Sequence, residues 1–166
     1  LYNYQRAQFL TPSHRWNATT DTGGDATWTA EIGGLNYTFS GNQTAAAVND
    51  PKVPGITHAF APGVTANSGT QGSSPNFTTT QSASFELWFK AENLTGSEAL
   101  FEFGGSGTGT TMRLNGDTLQ SVTQSSTTNR AFSTSDTALT AEDVGEWTQV
   151  VLVITIDAGT GTNELY

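Results

Sequence analysis

Two glutamates, Glu98 and Glu102, come nearer than any other residues of this sequence to a catalytic pair. They are four residues apart in the segment EALFE, and side-chain alternation along a β-strand would place both on one face. Retaining glycoside hydrolysis requires two carboxyl groups about 5 Å apart, one as nucleophile and one as acid. Leu100, between them, can neither hydrogen-bond nor modulate a carboxylate, so the proton-handling network is incomplete. Two solvated carboxylates on the polar face of a strand are the simpler interpretation, and we expect no enzyme.

Other catalytic constellations are missing from the sequence. The two histidines, His14 and His58, lie far apart and lack metal-ligand spacing, and the chain has no cysteine for a thiolate zinc site, a disulfide or a nucleophile. No Gly-x-Ser-x-Gly elbow marks a serine hydrolase. The glycine-rich segment at 104–109 has neither the lysine nor the helix of a phosphate-binding loop, so we predict a hairpin loop there.

Four aromatic residues could present flat faces on which a sugar ring stacks: Trp16, Trp28, Tyr37 and Trp88. We take these four as the candidate ligand-binding residues. Most aromatic residues of an all-β domain belong to its core, so the structural interpretation of each stays open beside the functional one.

Charge narrows the classes of partner. The formal net charge is -9, and the six cations form no basic stripe that could neutralise phosphates, which argues against nucleic-acid binding. No apolar run approaches the about 18 residues of a membrane-spanning helix, so we expect no membrane insertion. An acidic, lysine-poor chain favours an extracellular or cell-surface location, where self-repulsion maintains solubility.

Strand patterns dominate the second half of the chain. In SFELWFK at 84–90, three apolar residues alternate with polar neighbours and Trp88, the period-2 pattern of a strand with one buried face. The most apolar run, WTQVVLVITI at 147–156, is rich in β-branched residues and predicts a central strand covered on both faces. Further strands are predicted at 98–103, 111–115, 118–123 and 163–166.

Turn signals separate these strands. Asn115-Gly116 predicts a two-residue hairpin, because the turn it favours requires positive φ at both central residues. Helical turns are indicated at 44–48 and 138–144, the second with a capping box at 140–143. The first 80 residues carry weaker signals, with short strands predicted around 14–16, 27–29, 35–39, 56–60 and 76–80.

In their order and spacing these segments resemble the laminin G-like or concanavalin A-like superfamily of bacterial surface proteins. The segments that carry the resemblance are SFELWFK at 84–90, LFEFGG at 100–105, MRLNG at 112–116, GEWTQVV at 145–151 and ELY at 164–166. The resemblance covers 84–166 well and the first half weakly. It implies an all-β antiparallel sandwich of the jelly-roll type, formed by residues 1–166 as a single domain that binds glycans or proteins through loops at one rim.

The resemblance also bears on the candidate sites. Glycosidases of this superfamily carry Glu-x-Asp-x-Glu, and the central Asp is missing here. Calcium is common at the rim of such domains, and Asp50, Asp117 and Asp157 are the candidate ligands because carboxylates and loop carbonyls are the oxygen donors that Ca²⁺ prefers. The laminin-type ligand would lie near 124–126, where the sequence QSS offers no carboxylate. We therefore predict no required cofactor, with Ca²⁺ as the one candidate.

One departure from the family pattern concerns the sheet. Related domains continue beyond the strand that ends in Leu-Tyr, whereas this sequence stops at Tyr166. Three explanations stay open: an atypical N-terminal half completes the sheet, the sequence is a fragment, or a strand of another chain fills the gap, since an open edge invites strand addition. The leading function is a non-catalytic extracellular module that binds carbohydrate or a surface protein and serves adhesion. A self-assembling structural subunit, a homo-oligomer joined through its open sheet edge, is the alternative, and a glycoside hydrolase is third.

Overall fold

A computed structural model of the chain describes residues 12–20, 24, 26–34, 36–39, 42, 44–48, 57–60, 69–71, 82–105, 108–124, 130–135, 138–157 and 160–166. These residues belong to two compact units, Leu1–Pro75 and Asn76–Tyr166. The described residues are almost entirely β-strands and turns, which confirms the predicted all-β class.

The first unit contains short antiparallel strand pairs. Its strands are β1 (Arg15–Trp16), β2 (Thr27–Trp28), β3 (Ala30–Ile32), β4 (Tyr37–Phe39), β5 (Ala46–Ala47), β6 (His58–Ala59) and β7 (Gly69–Gln71), with a 3₁₀ turn at Ala18–Thr20. Strand β1 pairs with β3, β5 pairs with β6, and β4 lies between β2 and β7. The strands predicted around 14–16, 27–29, 35–39 and 56–60 are present, whereas 76–80 lies outside the described residues.

The second unit is a sandwich of two antiparallel sheets. Its strands are β8 (Ala83–Lys90), β9 (Ser97–Gly105), β10 (Thr108–Asn115), β11 (Thr118–Gln124), β12 (Arg130–Thr134), β13 (Trp147–Asp157) and β14 (Thr160–Leu165). One sheet has the order β12-β11-β10-β9 and the other the order β14-β13-β8. The sequence predicts all of these strands except β12.

The core of the sandwich forms because each sheet turns one apolar row inward. Val150, Leu152 and Ile154 of β13 are at most 1% exposed, and they pack in one cluster with buried residues of β10 and β11. The rings of Phe85 and Phe101, one from each sheet, lie 5.0 Å apart between their centroids. The inward alternation predicted for β8 is confirmed. The outward row of β13 is covered only in part, because Gln149 and Thr155 are exposed and the valines between them are half-buried, so the prediction of cover on both faces is wrong.

The hairpin between β10 and β11 is present, with a small shift in register. Asn115 pairs with Thr118, so the two loop residues are Gly116 and Asp117 rather than Asn115 and Gly116. Gly116 adopts a φ of 63°, in the left-handed region that favours glycine. Its amide donates a 2.7 Å hydrogen bond to the Gly96 carbonyl, which ties the turn to the loop after β8.

A bulge interrupts the pairing of β9 with β10. Met112 pairs with Phe101 but the next residue, Arg113, pairs with Ala99, so Leu100 is the extra residue. An extra residue of this kind reverses the faces of all side chains on one side of it relative to the other. Both Leu100 and Phe101 consequently pack against the core.

The inner face of the four-stranded sheet carries a polar patch as well as an apolar one. Thr110, Ser121 and Thr123 are buried, and the hydroxyls of Thr110 and Thr123 lie 3.0 Å apart. Asn163 of β14 reaches this group across the sandwich: the two terminal atoms of its amide lie 3.0 and 3.2 Å from the Thr123 hydroxyl oxygen. We call these four residues the buried hydroxyl cluster.

The two predicted helical turns have different outcomes. Residues 44–48 contain strand β5 instead, so that prediction is wrong: the pairing of Ala46 and Ala47 with β6 outweighs the helix propensity of alanine. Residues 138–144 form a turn and not a helix. The predicted capping contact is present, because the Asp143 carboxylate accepts hydrogen bonds from the Thr140 amide (2.7 Å) and hydroxyl (2.9 Å). These two bonds lower the pKa of Asp143.

Candidate functional site

Three of the four predicted ligand-binding residues meet in the first unit. Tyr37 of β4 contacts Trp16 of β1, with ring centroids 4.9 Å apart, and Trp28 of β2, at 5.8 Å. Trp28 in turn meets the edge of Phe60 at 5.2 Å, and Phe60 meets Phe39 at 4.9 Å. The rings therefore form one continuous aromatic chain.

These ring contacts are mostly edge-to-face or tilted, so the rings occupy one another's faces. Burial raises the pKa of the Tyr37 phenol because the charged form loses its hydration. The Trp28 indole nitrogen is buried and has no hydrogen-bond acceptor among the described residues. An arrangement of this kind engages part of the surface of each ring in contacts within the first unit.

Trp88, the fourth candidate, lies in a different setting. It is half-buried on the outward side of β8, because Leu87 and Phe89 on either side of it turn toward the core. It pairs across the sheet with Gln149, and no other aromatic ring contacts it among the described residues. Trp88 is thus the predicted platform whose ring is not already used by a neighbouring ring.

Polar groups surround the Trp88 ring on the same side of the sheet. The Gln149 side-chain nitrogen donates a 2.6 Å hydrogen bond to the Glu86 carboxylate, which orients the amide. The Lys90 amine lies 5.5 Å from the centre of the Trp147 ring, a cation–π contact. We call Glu86, Trp88, Lys90, Trp147 and Gln149 together the Trp88 face. It combines an aromatic surface with oriented donors and acceptors on a rigid sheet.

The predicted calcium ligands do not assemble in the described part of the chain. Asp50 lies outside it, and so does the side chain of Asp157, whose backbone ends β13. Asp117 is exposed in the β10–β11 turn, where its carboxylate accepts a 2.9 Å hydrogen bond from the Thr118 hydroxyl. Within the described residues no group of three or more His, Cys, Asp or Glu side chains could hold a metal ion.

The structure separates Glu98 from Glu102. Glu98 pairs with Leu114, whose side chain faces the core, whereas Glu102 pairs with Thr111 on the opposite side of the sheet. Their expected common face is lost because the bulge at Leu100 inserts one residue between them. Both side chains are exposed. Two carboxylates on opposite sides of a sheet cannot flank one glycosidic bond as that mechanism requires.

One feature that the sequence analysis missed lies on the outward face of the four-stranded sheet. Arg113 of β10 pairs with Gln120 of β11, and its Nε donates a 2.8 Å hydrogen bond to the Gln120 side-chain oxygen. Arg113 is half-buried although it points away from the core. The two residues are seven positions apart, so only the register of the hairpin brings them together.

Comparison with known proteins identifies the family. The laminin G model of the concanavalin A-like lectin/glucanase superfamily matches residues 63–166, which include the whole sandwich. Neither the curated proteins nor the solved structures contain a match. None of the helices in the described residues has the length and hydrophobicity needed to cross a membrane. The match over most of the chain and the two packed antiparallel sheets together show that this protein belongs to the concanavalin A-like lectin/glucanase superfamily and has its jelly-roll sandwich fold.

Proposed function

We propose that this chain is a non-catalytic carbohydrate-binding module that works outside the cell or at its surface, and that it binds saccharides through the Trp88 face. Laminin G-like domains generally bind glycans or proteins. The observation that carries the proposal is the Trp88 ring, half-buried on the outward side of β8 and without an aromatic partner among the described residues. Carbohydrate is favoured over protein because a single flat ring bordered by polar groups suits a saccharide.

A pyranose ring has one apolar face of C–H groups and a rim of hydroxyls, and it needs both kinds of contact. The Trp88 ring supplies the apolar contact, and the amide of Gln149 and the charged groups of Glu86 and Lys90 supply donors and acceptors for the rim. The hydrogen bond between Gln149 and Glu86 fixes these side chains before a ligand arrives, which reduces the entropy lost on binding.

The positions of the two candidate catalytic glutamates support a binding rather than a hydrolytic role. Glu98 and Glu102 project from opposite sides of β9, and the central Asp of the family's catalytic motif is replaced by Leu100. We therefore also propose that saccharides bound at the Trp88 face are released unchanged.

The first prediction concerns Trp88→Ala. We expect it to weaken binding of the best neutral oligosaccharide from a glycan array by about tenfold or more, which is about 1.4 kcal/mol, because the stacking surface is lost. Titration calorimetry on the full chain measures the affinity, and thermal unfolding checks that the variant remains folded. Gln149→Ala tests the polar groups beside the ring separately and should weaken binding of the same oligosaccharide to a smaller degree.

Tyr166→Ala is the matched control. Tyr166 is a 70% exposed aromatic residue at the end of the same sheet, where its hydroxyl donates to Glu164 rather than bordering Trp88. Its removal should leave affinity unchanged. If Trp88→Ala binds as tightly as the parent chain, the Trp88 face is the wrong site. If the array is blank and concentrated protein forms filaments in electron micrographs, the self-assembly function is correct instead. Release of reducing ends from the bound oligosaccharide would establish an enzyme.

A further inference from the structure

Arg113 is a cation whose charge no carboxylate neutralises within the described residues. Two other cations whose side chains the structure describes have stabilising partners: Arg15 forms an ion pair with Glu31 at 3.1 Å, and Lys90 lies over the Trp147 ring. Arg113 instead donates to a neutral amide oxygen, that of Gln120. In a chain of net charge -9, carboxylate partners are abundant, so a half-buried guanidinium without one is unexpected.

Among the described residues, Glu102 carries a carboxylate on the same outward face as Arg113. It pairs with Thr111, two residues before Arg113, and so lies diagonally across the same outward face. A diagonal pair of long side chains is within reach of contact. The structure nevertheless directs the guanidinium toward Gln120, and the terminal nitrogens of Arg113 make no ion pair with Glu102.

The hydrogen bond to Gln120 fixes the guanidinium plane while using one of its five N–H donors. The remaining donors form the fork that matches a carboxylate with two parallel hydrogen bonds. Ala99, the partner of Arg113 on β9, is small and exposed, which leaves space beside the guanidinium. Gln120 is therefore a positioning residue for an anion-binding Arg113.

Around the half-buried Val122, which pairs with Thr111, this face also carries polar side chains suited to hydroxyl groups. Thr111 and Gln124 are half-buried and Thr134 is exposed, and all three project outward between inward-facing residues of their strands. They offer hydroxyls and an amide on a broad sheet surface. The strongly negative net charge of the chain disfavours a polyanion as densely charged as nucleic acid, so the ligand should carry at most one negative group per sugar unit among its hydroxyls.

We propose that the outward face of the four-stranded sheet is a second binding site, for acidic saccharides, in which Arg113 binds the carboxylate of a uronic acid unit. The site is on a different sheet from the Trp88 face and does not depend on it. An acidic peptide would present carboxylates too, but it carries fewer hydroxyl groups than a saccharide to pair with the hydroxyl and amide groups around Arg113.

The test compares trigalacturonate with the neutral galactose trisaccharide by NMR titration of the full chain at fixed ionic strength. We expect the acid to bind about tenfold more tightly or better, since charge-assisted bidentate pairs are the stronger hydrogen bonds. The Arg113 Nε–H and Gln120 side-chain amide signals should shift in the unmodified chain. Arg113→Gln should abolish the preference for the acid, and Arg113→Lys should retain only part of it, because a lysine lacks the planar fork.

Two further variants test whether affinity for the acid follows the charge on this face. Glu102→Gln removes a carboxylate from the same face and should tighten trigalacturonate binding, the opposite of Arg113→Gln. Arg15→Gln, which removes the same charge from an exposed ion pair in the other unit, is the matched control and should change nothing. Trp88→Ala should leave the acid preference intact, so failure of the proposed function and failure of this inference are separable. Equal affinity for acid and neutral sugar, an unchanged preference in Arg113→Gln, or equally tight binding of triglutamate would overturn the proposal.

Discussion

Leu152→Ala should lower the free energy of unfolding of the sandwich by about 2–5 kcal/mol, the largest effect we expect from any single substitution discussed. Leu152 is 0% exposed at the centre of β13, and it belongs to the one cluster that joins both sheets. Truncation to alanine removes apolar surface that folding buries and leaves a cavity that neighbours on two stiff sheets cannot fill.

Urea denaturation followed by tryptophan fluorescence and by circular dichroism measures this effect. Thr155→Ala on the same strand is the control, because Thr155 is exposed on the outward row; its cost should stay within about 0.5 kcal/mol. If Leu152→Ala lowers the free energy of unfolding no more than Thr155→Ala does, the register assigned to β13 is wrong, and so is the sandwich core built on it.

The second large effect concerns the buried hydroxyl cluster. Asn163→Leu keeps the branched shape of the side chain but removes the amide that reaches Thr123 from the opposite sheet. We expect a cost of about 1–3 kcal/mol, because buried hydroxyls lose a hydrogen-bond partner that no water replaces. The same denaturation experiment gives the value.

Thr162→Val is the control for that substitution. Thr162 is the neighbour of Asn163 on β14 and is exposed, so the same class of change should be nearly neutral. If Asn163→Leu leaves the free energy of unfolding unchanged or raises it, hydrophobic packing of β14 outweighs the polar contacts. This happens when well-packed apolar groups replace buried polar ones.

Much of the sandwich could be predicted from the sequence because its strands obey simple alternation. Phe85, Leu87 and Phe89 face the core as their spacing predicts, and β13 lies at the centre of its sheet. β12 could not be predicted because Arg130–Thr134 carries few apolar residues and depends on pairing with β11 for its existence. The helical turn predicted at 44–48 is absent for a related reason, since helix propensity is a weak preference that pairing with β6 overrides.

The candidate sites could be predicted less well, because a shift of one residue in strand register changes which side chains lie together. The Asn115-Gly116 signal predicts a hairpin whose register would place Arg113 opposite Thr118, whereas the true loop, one residue later, places it opposite Gln120. The bulge at Leu100 likewise has no marker such as glycine, and it alone separates Glu98 from Glu102. Trp88 was found because its alternation within β8 is regular. The grouping of Trp16, Trp28 and Tyr37 requires contacts between distant strands that no local pattern encodes.

The turn between β10 and β11 has a consequence for the chemical ageing of this protein. Asn-Gly sequences deamidate when the glycine nitrogen attacks the asparagine side chain and closes a succinimide ring. In the folded chain that nitrogen, on Gly116, is already engaged with the Gly96 carbonyl at 2.7 Å, and the strand pairing of Asn115 holds its backbone extended. Deamidation at Asn115 should therefore proceed at a rate set by the fraction of molecules in which this hairpin is open. The isoaspartate content of a stored sample then reports how often this hairpin unfolds locally.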